Sequence, residues 1–540
     1  MGKIIINTGS AKGFKWHTTD NVWAKGYFFD ANDNYFEKEQ LLDYFKTIDT
    51  HRLFVETLKN CNGVFSVIIK QNNEIWCAVD RNISFPLFFS NINNEWIISD
   101  NADFLKNKLS DIKINTLQET VYKSLGHTFG SETLIAGINQ VQCGQTILLK
   151  NDRAVKKEFY HTFSVKTFNN KDKNELLNHG YELFEKCFKR LVKSLNGRTA
   201  VIPLSGGFDS RVIAAGLKKQ KYENVICFTY GKKRDNNEIE LSKKVAKTLN
   251  YKWVFIEYNN KLFDDFSNTV EFNDYINFSG HLSSLFYLQE YFAVKYLKNK
   301  KLVPANSVFI PGHSGDLIGG SQLIKVFSKN LNVNRIPTCF INKKSIYNPL
   351  ASKYKKKLKK SIQAEITNSS TNKGATVFEE LDIKEKISKV IFNSSNVFDF
   401  FGYEKRFPFW DLNLLDFFLS LPPEQREMKK LYDSILIDKY FKPFNIYFEN
   451  ELQPSRFRIV FQKIKNSIKQ LMPYSFKFDL LIKRDWLNSY EATMPLLNEM
   501  KKNGYKTNFK AISFNEVLID YYIFTLKKEI NSKKSTNLSV

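Results

Sequence analysis

The sequence predicts an α/β protein: an α+β layered part built from short strands, then a parallel-sheet part with a helical C-terminal portion. Three observations carry this reading. From residue 3 to about 160, short apolar or alternating runs are separated by turn-rich clusters such as NDN, QNNE and NINN. From 199 to 258, apolar runs alternate with helix-period segments, the pattern of strand–helix–strand units with right-handed crossovers. From 280 to 445 the periodicity is mainly helical, and beyond 460 it is helical and basic.

In the first part, IIIN, VWAKGYFFD, GVFSVIIK, EIWCAVD, PLFFS, EWIISD and TILLK are expected strands, interrupted by helix-like segments near 38–59 and 116–125. The polar stretch NNKDKN at 169–174 precedes ELLNHGYELFEKCFKRLVKSL, whose Leu, Phe and Cys recur at helical spacing. A boundary is therefore drawn near residue 165. A strand at 199–204, a Gly-rich loop, a helix at 209–219, the strand VICFTYG at 225–231, a helix at 237–249 and the strand WVFIEY at 253–258 follow. Domains are expected at 1–165, 166–460 and 461–540, with no solenoid repeat.

A chain of 540 residues, 43% of them hydrophobic, can bury more than one core. No run of eighteen apolar residues appears and the start, MGKIIINTGSAKGFKWHTTD, has no small-residue cleavage pattern, so a cytoplasmic protein without membrane insertion is expected. The 6 cysteines form no CxxC pair or Cys/His cluster, which leaves neither a zinc site nor a disulfide framework. The formal charge of +24 is carried by runs such as KYKKKLKKSIQ at 353–363, which read as solvated helix faces. No aromatic stripe interleaves with them, so no nucleic-acid partner is expected.

Within VIPLSGGFDSRVIAAGLKK, residues 201–219, a Gly-rich loop leaves the carboxyl end of a strand and opens onto a helix. Ligands bind at that edge of an α/β sheet, and a helix N-terminus favours an anion. Gly206 and Gly207 allow close backbone approach, and Ser205 and Ser210 supply hydroxyls. The loop has neither the GxxxxGK[ST] lysine nor the GxGxxG spacing. Asp209 beside a phosphate calls for a metal ion between them, and Mg²⁺ on oxygen ligands meets that need.

SGGFDS resembles the pyrophosphate-binding SGGxDS loop of the N-type ATP pyrophosphatases, and its surroundings resemble the asparagine synthetase and β-lactam synthetase family. Three further segments carry the resemblance in order. In CFTYGKKRDNNEIELSKKVAKTLNY, Glu238 and Ser242 match the family's helix positions, and Phe228, Tyr230 and Gly231 fall where the adenine is lined. In PGHSGDLIGG, Gly312, Gly315, Asp316, Gly319 and Gly320 match a Gly-rich loop. The near match there to GxSxG fails at Asp316, so Ser314 is no nucleophile. In FGYEKRFPFWD, Glu404, Arg406, Pro408, Phe409 and Asp411 match an ExRxPFxD segment. The N-terminal segments NGVFSVIIK, AVDRNISFPLFF and TLIAGINQVQCGQTILL resemble the glutaminase half of asparagine synthetase. The implied fold is an Ntn-type glutaminase-like α+β sandwich followed by a doubly wound parallel-sheet ATP pyrophosphatase domain.

The resemblance implies ATP and Mg²⁺ as cofactors: a substrate carboxylate attacks the α-phosphorus, pyrophosphate leaves, and an amine displaces AMP from the acyl-adenylate. Asp209 and Asp316 are the implied metal ligands. The general-base position falls on His313, oriented by Glu404, and an imidazole titrating near about 6.5 suits an ammonium nucleophile. The family lysine that contacts phosphate is not found in NELQPSRFRIVF at 450–461, which leaves Arg456 or Arg458 for that place. The family's glutaminase uses an N-terminal cysteine, and here Met1 and Gly2 stand first, so an amine other than glutamine's is expected, as in the β-lactam synthetases and lasso-peptide cyclases. Two alternatives stay open: an ammonia-using amidotransferase of a sugar or amino acid carboxylate, and a non-catalytic nucleotide-binding protein. Expected partners are small-molecule or peptide carboxylates and amines, and a homodimer is compatible with them.

Overall fold

Seven strands form one sheet of the N-terminal part, in the order Val155–Phe159, Gln145–Lys150, Glu74–Val79, Asn62–Gln71, Val22–Phe29 and His17–Thr18, with Tyr35–Glu37 also paired to Val22–Phe29. This is a computed structural model, and it describes residues 4–9, 12–71, 73–150, 155–233, 237–321, 331–367, 371–448 and 472–538. A second sheet runs Ile4–Asn7, Glu95–Ser99, Phe88–Ile92, Asn139–Gln140. The central strands read as near-continuous apolar runs because they are covered on both faces. Phe28, Val67 and Trp76 pack outward with Leu41, Phe45, Phe54 and Leu58, whereas Val64, Ile68 and Cys77 face inward with Phe89 and Ile98 of the second sheet. The result is the layered α+β sandwich expected of this part. The segment expected as one helix at 38–59 is two, Glu39–Lys46 and His51–Asn60, because the Thr50 side chain accepts from the Leu53 N–H and starts a new helix.

The parallel sheet has five strands in the order Lys252–Glu257, Val225–Gly231, Ala200–Pro203, Val308–Phe309, Glu404–Lys405. All neighbours are parallel: Val201 pairs with Ile226 and Phe309, and Phe309 with Lys405. Alternate residues feed two cores. Ala200 and Ile202 point to a core that holds Phe184 and Phe188 of the helix Lys173–Leu195 and Val212 and Ile213 of Phe208–Lys219. Val201 and Phe309 point to another with Phe272, Tyr275 and Phe292 of the helices Val270–Gly280 and Tyr291–Asn299. Helices on both faces make the sheet doubly wound.

The basic C-terminal segment, whose periodicity gives no assignment beyond helix, supplies the helices Tyr474–Lys483, Ser489–Lys502 and Asn515–Leu538. Leu496, Met500, Val517 and Tyr522 enter the same core as Phe272, and the Tyr522 hydroxyl accepts from the Leu282 N–H at 2.9 Å. The Lys-rich run lies in the helix Ser352–Thr367, which buries Leu358, Ile362 and Ile366 and leaves most of its lysines outward. Among the described residues no helix is long and apolar enough to cross a membrane.

Candidate active site

The chain leaves the strand Ala200–Pro203 with the Ser205 N–H donating to Ser210 Oγ at 3.0 Å. Ser205 Oγ in turn accepts from the Gly207 N–H at 3.1 Å and lies 3.1 Å from Ser210 Oγ. The two serines read as ligand hydroxyls thus also hold the loop in its tight shape. The helix Phe208–Lys219 starts at Gly207 with no side-chain cap, which leaves first-turn N–H groups for an anion. Gly206 donates its N–H to the Glu238 carboxylate, so Glu238, expected at the nucleotide, anchors the loop backbone. A Cβ at Gly206 would lie 2.9 Å from Leu241 Cδ1 and 3.2 Å from Glu238 Oε2, so the loop packs closely on the helix Asn237–Thr248.

The loop after Val308–Phe309 presses against the first one. A Cβ at Gly312 would come within 2.9 Å of the Ser210 nitrogen, and one at Gly315 within 2.6 Å of Asp209 Cγ. That close approach sets two carboxyl-bearing residues together: the Asp316 N–H donates to Asp209 Oδ2 at 2.8 Å, and the Tyr432 hydroxyl donates to Oδ1 at 2.9 Å. Burial and then the neighbouring Asp316 charge push the Asp209 carboxyl up to about 7, with Lys429 pulling the other way. A hard dication would relieve that repulsion. Mg²⁺ takes one or two protein carboxylates and completes its shell with phosphate and water oxygens, so the pair fits it.

Both loops open into a cleft of about 510 Å³. Ser205, Asp209, Asp316 and Lys429 line one end, and Tyr230, Gln289, Glu290 and Trp486 the other. Lys429 is a cation that the sequence reading misses, because that reading looks for one at 450–461; Arg456 and Arg458 lie outside the described residues, as do Met1 and Gly2. The Lys429 Nζ is 3.4 Å from Asp433 Oδ1, and both Met428 and Lys429 hold a left-handed φ of 59°. Two consecutive non-glycine residues in that region carry strain, which the turn maintains where it borders the cleft. The signal available in the sequence is the Lys429–Lys430 pair shortly after Leu421-Pro422. Glu290 is missed as well. The Tyr230 hydroxyl donates to Glu290 Oε1 at 2.8 Å and accepts from Gln289 Nε2 at 3.1 Å, and burial pushes the Glu290 carboxyl up to about 7.

Three expectations are corrected. Phe228 does not line the cleft: two residues before Tyr230 on the same face of the strand, its side chain is fully buried beside Phe309 in the second core, and Tyr230, nearer the strand end, takes the lining role. Gly231 is buried with φ 132°, where its carbonyl accepts from the Tyr258 N–H at 3.0 Å. His313 does line the cleft, but Glu404 does not orient it. Glu404 pairs with Val308 at the start of a two-residue strand, well before the loop, and its carboxylate accepts from Arg198 Nη1 at 2.8 Å and Arg406 Nη2 at 3.0 Å. Burial alone would raise that carboxyl, yet Arg406 and Arg198 hold it below its ordinary value. His313 Nδ1 is buried with no hydrogen-bond partner among the described residues, and its ring lies 6.3 Å from that of Phe407. Burial and then the Lys405 charge bring the imidazole down to about 4. It is a neutral ring at pH 7 and a weaker base than its ordinary value promised.

Residues 181–436 match the family model described as asparagine synthase. No curated protein matches the chain. Similar solved structures include the NH3-dependent NAD synthetase from Campylobacter jejuni subsp. jejuni NCTC 11168 in complex with the nitrate ion, 18% identical over 39% of this chain and 94% of that one at a TM-score of 0.20. NMN synthetase from Francisella tularensis is 10% identical over 41% of this chain and 97% of that one, at 0.21. Glutamine PRPP amidotransferase from B. subtilis complexed with ADP and GMP is 10% identical over 57% and 64%, at 0.18. The match of residues 181–436 to the asparagine synthase model supports an ATP-using carbon–nitrogen ligase of the amide-forming kind.

Proposed function

We propose that the cleft adenylates a substrate carboxylate with ATP, releases pyrophosphate, and couples the acyl group to an amine that glutamine does not supply. The apposition of Asp209 and Asp316 beside the uncapped N-terminus of Phe208–Lys219 carries this reading. The helix N-terminus and Lys429 meet charge developing on the leaving pyrophosphate. Asp209 and Asp316 hold Mg²⁺, which supplies Lewis-acid neutralisation of phosphate charge. At the other end Tyr230 and Trp486 offer flat faces to the base, and Glu290 offers an acceptor to the 6-amino group of adenine, which guanine lacks. His313, neutral at pH 7, serves as a hydrogen-bonding group at the reacting carboxyl rather than as a strong base.

The buried thiols support an amine other than glutamine's. Cys61, Cys77 and Cys143 of the N-terminal layers are buried, and burial pushes each up to about 12, so among the described residues these layers offer no activated thiolate for glutamine hydrolysis. A requirement for ATP accords with a cytoplasmic setting. The test is pyrophosphate release by the full chain with ATP, Mg²⁺ and a panel of carboxylates, supplied in turn with primary amines, ammonium or glutamine, with Asp316→Ala as the control. Release that needs a carboxylate, with amide formed from amines but not from glutamine, is the expected result. Amide formed from glutamine would overturn the assignment of the amine.

A further inference from the structure

A second cavity, of about 300 Å³, lies behind the base end of the cleft and shares Gln289 and Trp486 with it. One wall comes from the asparagine synthase domain, with Tyr258, Phe263 and Phe292; the other comes from the C-terminal segment outside the family match, with Trp486, Phe514 and Leu518. These aromatic faces are fixed in place. The Lys232 N–H donates to the Trp486 carbonyl at 2.8 Å and Asn488 Nδ2 donates to the Tyr258 carbonyl at 3.1 Å, so the segment carrying Trp486 is tied to the ends of two sheet strands. The Tyr258 hydroxyl is itself engaged, donating to the Gln289 carbonyl at 2.5 Å and accepting from the Ala293 N–H at 3.2 Å.

Two lining residues are charged, Arg484 and Asp485. Asp485 is satisfied, since its carboxylate accepts from the Ser489 and Tyr490 N–H groups at 2.8 Å each. Arg484 stands at the exposed rim, and among the described residues no ion pair joins it to a carboxylate. An aromatic-walled cavity with one uncommitted guanidinium at its mouth has the chemistry to hold an apolar body and a carboxylate together.

We infer that this cavity is a binding site for a small organic carboxylate with an aromatic or branched apolar body, the body between Phe263, Phe292 and Trp486 and the carboxylate on Arg484. The site adjoins the base end of the cleft across Gln289 and Trp486, and its own walls and Arg484 are in place without nucleotide.

The test is calorimetric titration of the full chain, without nucleotide, with 3-phenylpropanoate and with 3-phenylpropanamide. The carboxylate is expected to bind and the amide, equal in shape, to bind about threefold more weakly, because the guanidinium–carboxylate pair at the rim is lost. Arg484→Gln, at an exposed position that leaves the core untouched, is expected to erase the difference between the two probes; Trp486→Ala is expected to weaken both. An unchanged melting temperature in Arg484→Gln shows that folding is intact. Failure of both probes to bind, or an unchanged preference for the carboxylate in Arg484→Gln, would overturn the inference.

Discussion

Asp209 carries a clear electrostatic signature in the cleft. Its carboxyl is raised from the ordinary value of 3.8 to about 7, first by burial and then by Asp316. A carboxyl raised in the folded state binds its proton more tightly there than in the unfolded chain, so ionisation opposes folding: the penalty is absent below about 4 and grows as pH rises through about 7. In metal-free buffer at pH 8, Asp209→Asn is therefore expected to melt higher than the wild type, with the gap closing toward pH 4. Added Mg²⁺ should raise the wild-type melting temperature and leave that of the variant nearly unchanged. A variant that melts lower at pH 8 would contradict the repulsion between the two carboxyls. At His313 the imidazole is held at about 4, so amide formation by the wild type and by His313→Gln should show pH profiles of the same shape between pH 5.5 and 8. An acid limb near pH 6.5 present only in the wild type would restore His313 as a base poised at neutrality.

The elements explain what could be read in advance. The strand Val225–Gly231 and the helices Phe208–Lys219 and Asn237–Thr248 are legible because each is long enough to show its own period. The strands Val308–Phe309 and Glu404–Lys405 are two residues long and exist only through pairing with chain far away in sequence, so no local pattern announces them. The SGGFDS loop and the glycines facing it are legible because close approach to the Ser210 backbone at Gly312 and to the Asp209 and Tyr432 side chains at Gly315 favours glycine. The separation of Glu404 from His313 is not legible, since strand register decides it. Lys429 is hidden for a related reason: a left-handed turn, not a helical or strand period, puts it on the cleft. Lys429→Met is expected to lower kcat for pyrophosphate release by ~10²-fold with a smaller change in the KM for ATP, as for loss of one charge-stabilising group. Steady-state kinetics check this, and an unchanged kcat would remove Lys429 from the chemistry.

On the scale of the molecule, the ExR segment joins the two halves of the chain. The Arg406 guanidinium sits 4.1 Å from the Tyr27 ring centroid and bonds to Glu404, while Asp411 accepts from Asn62 Nδ2 at 3.0 Å and from Arg190 Nη1 at 2.7 Å. Glu404→Gln strips the charge partner from a buried arginine, so it is expected to lower the melting temperature by several degrees while leaving kcat within about twofold. A large fall in kcat at unchanged stability would return Glu404 to the site. The N-terminal sandwich thus braces the sheet whose carboxyl strand ends carry the cleft, and the turn between two C-terminal helices lines that cleft with Trp486. The proposed reaction turns on Asp209 and Asp316. The most direct measurement is ATP–pyrophosphate exchange by the full chain with a panel of carboxylates and Mg²⁺: exchange that depends on a carboxylate and is abolished in Asp316→Ala is predicted, and exchange that persists at the wild-type rate in Asp316→Ala, or ATP cleavage to ADP and phosphate in place of AMP and pyrophosphate, would contradict the account.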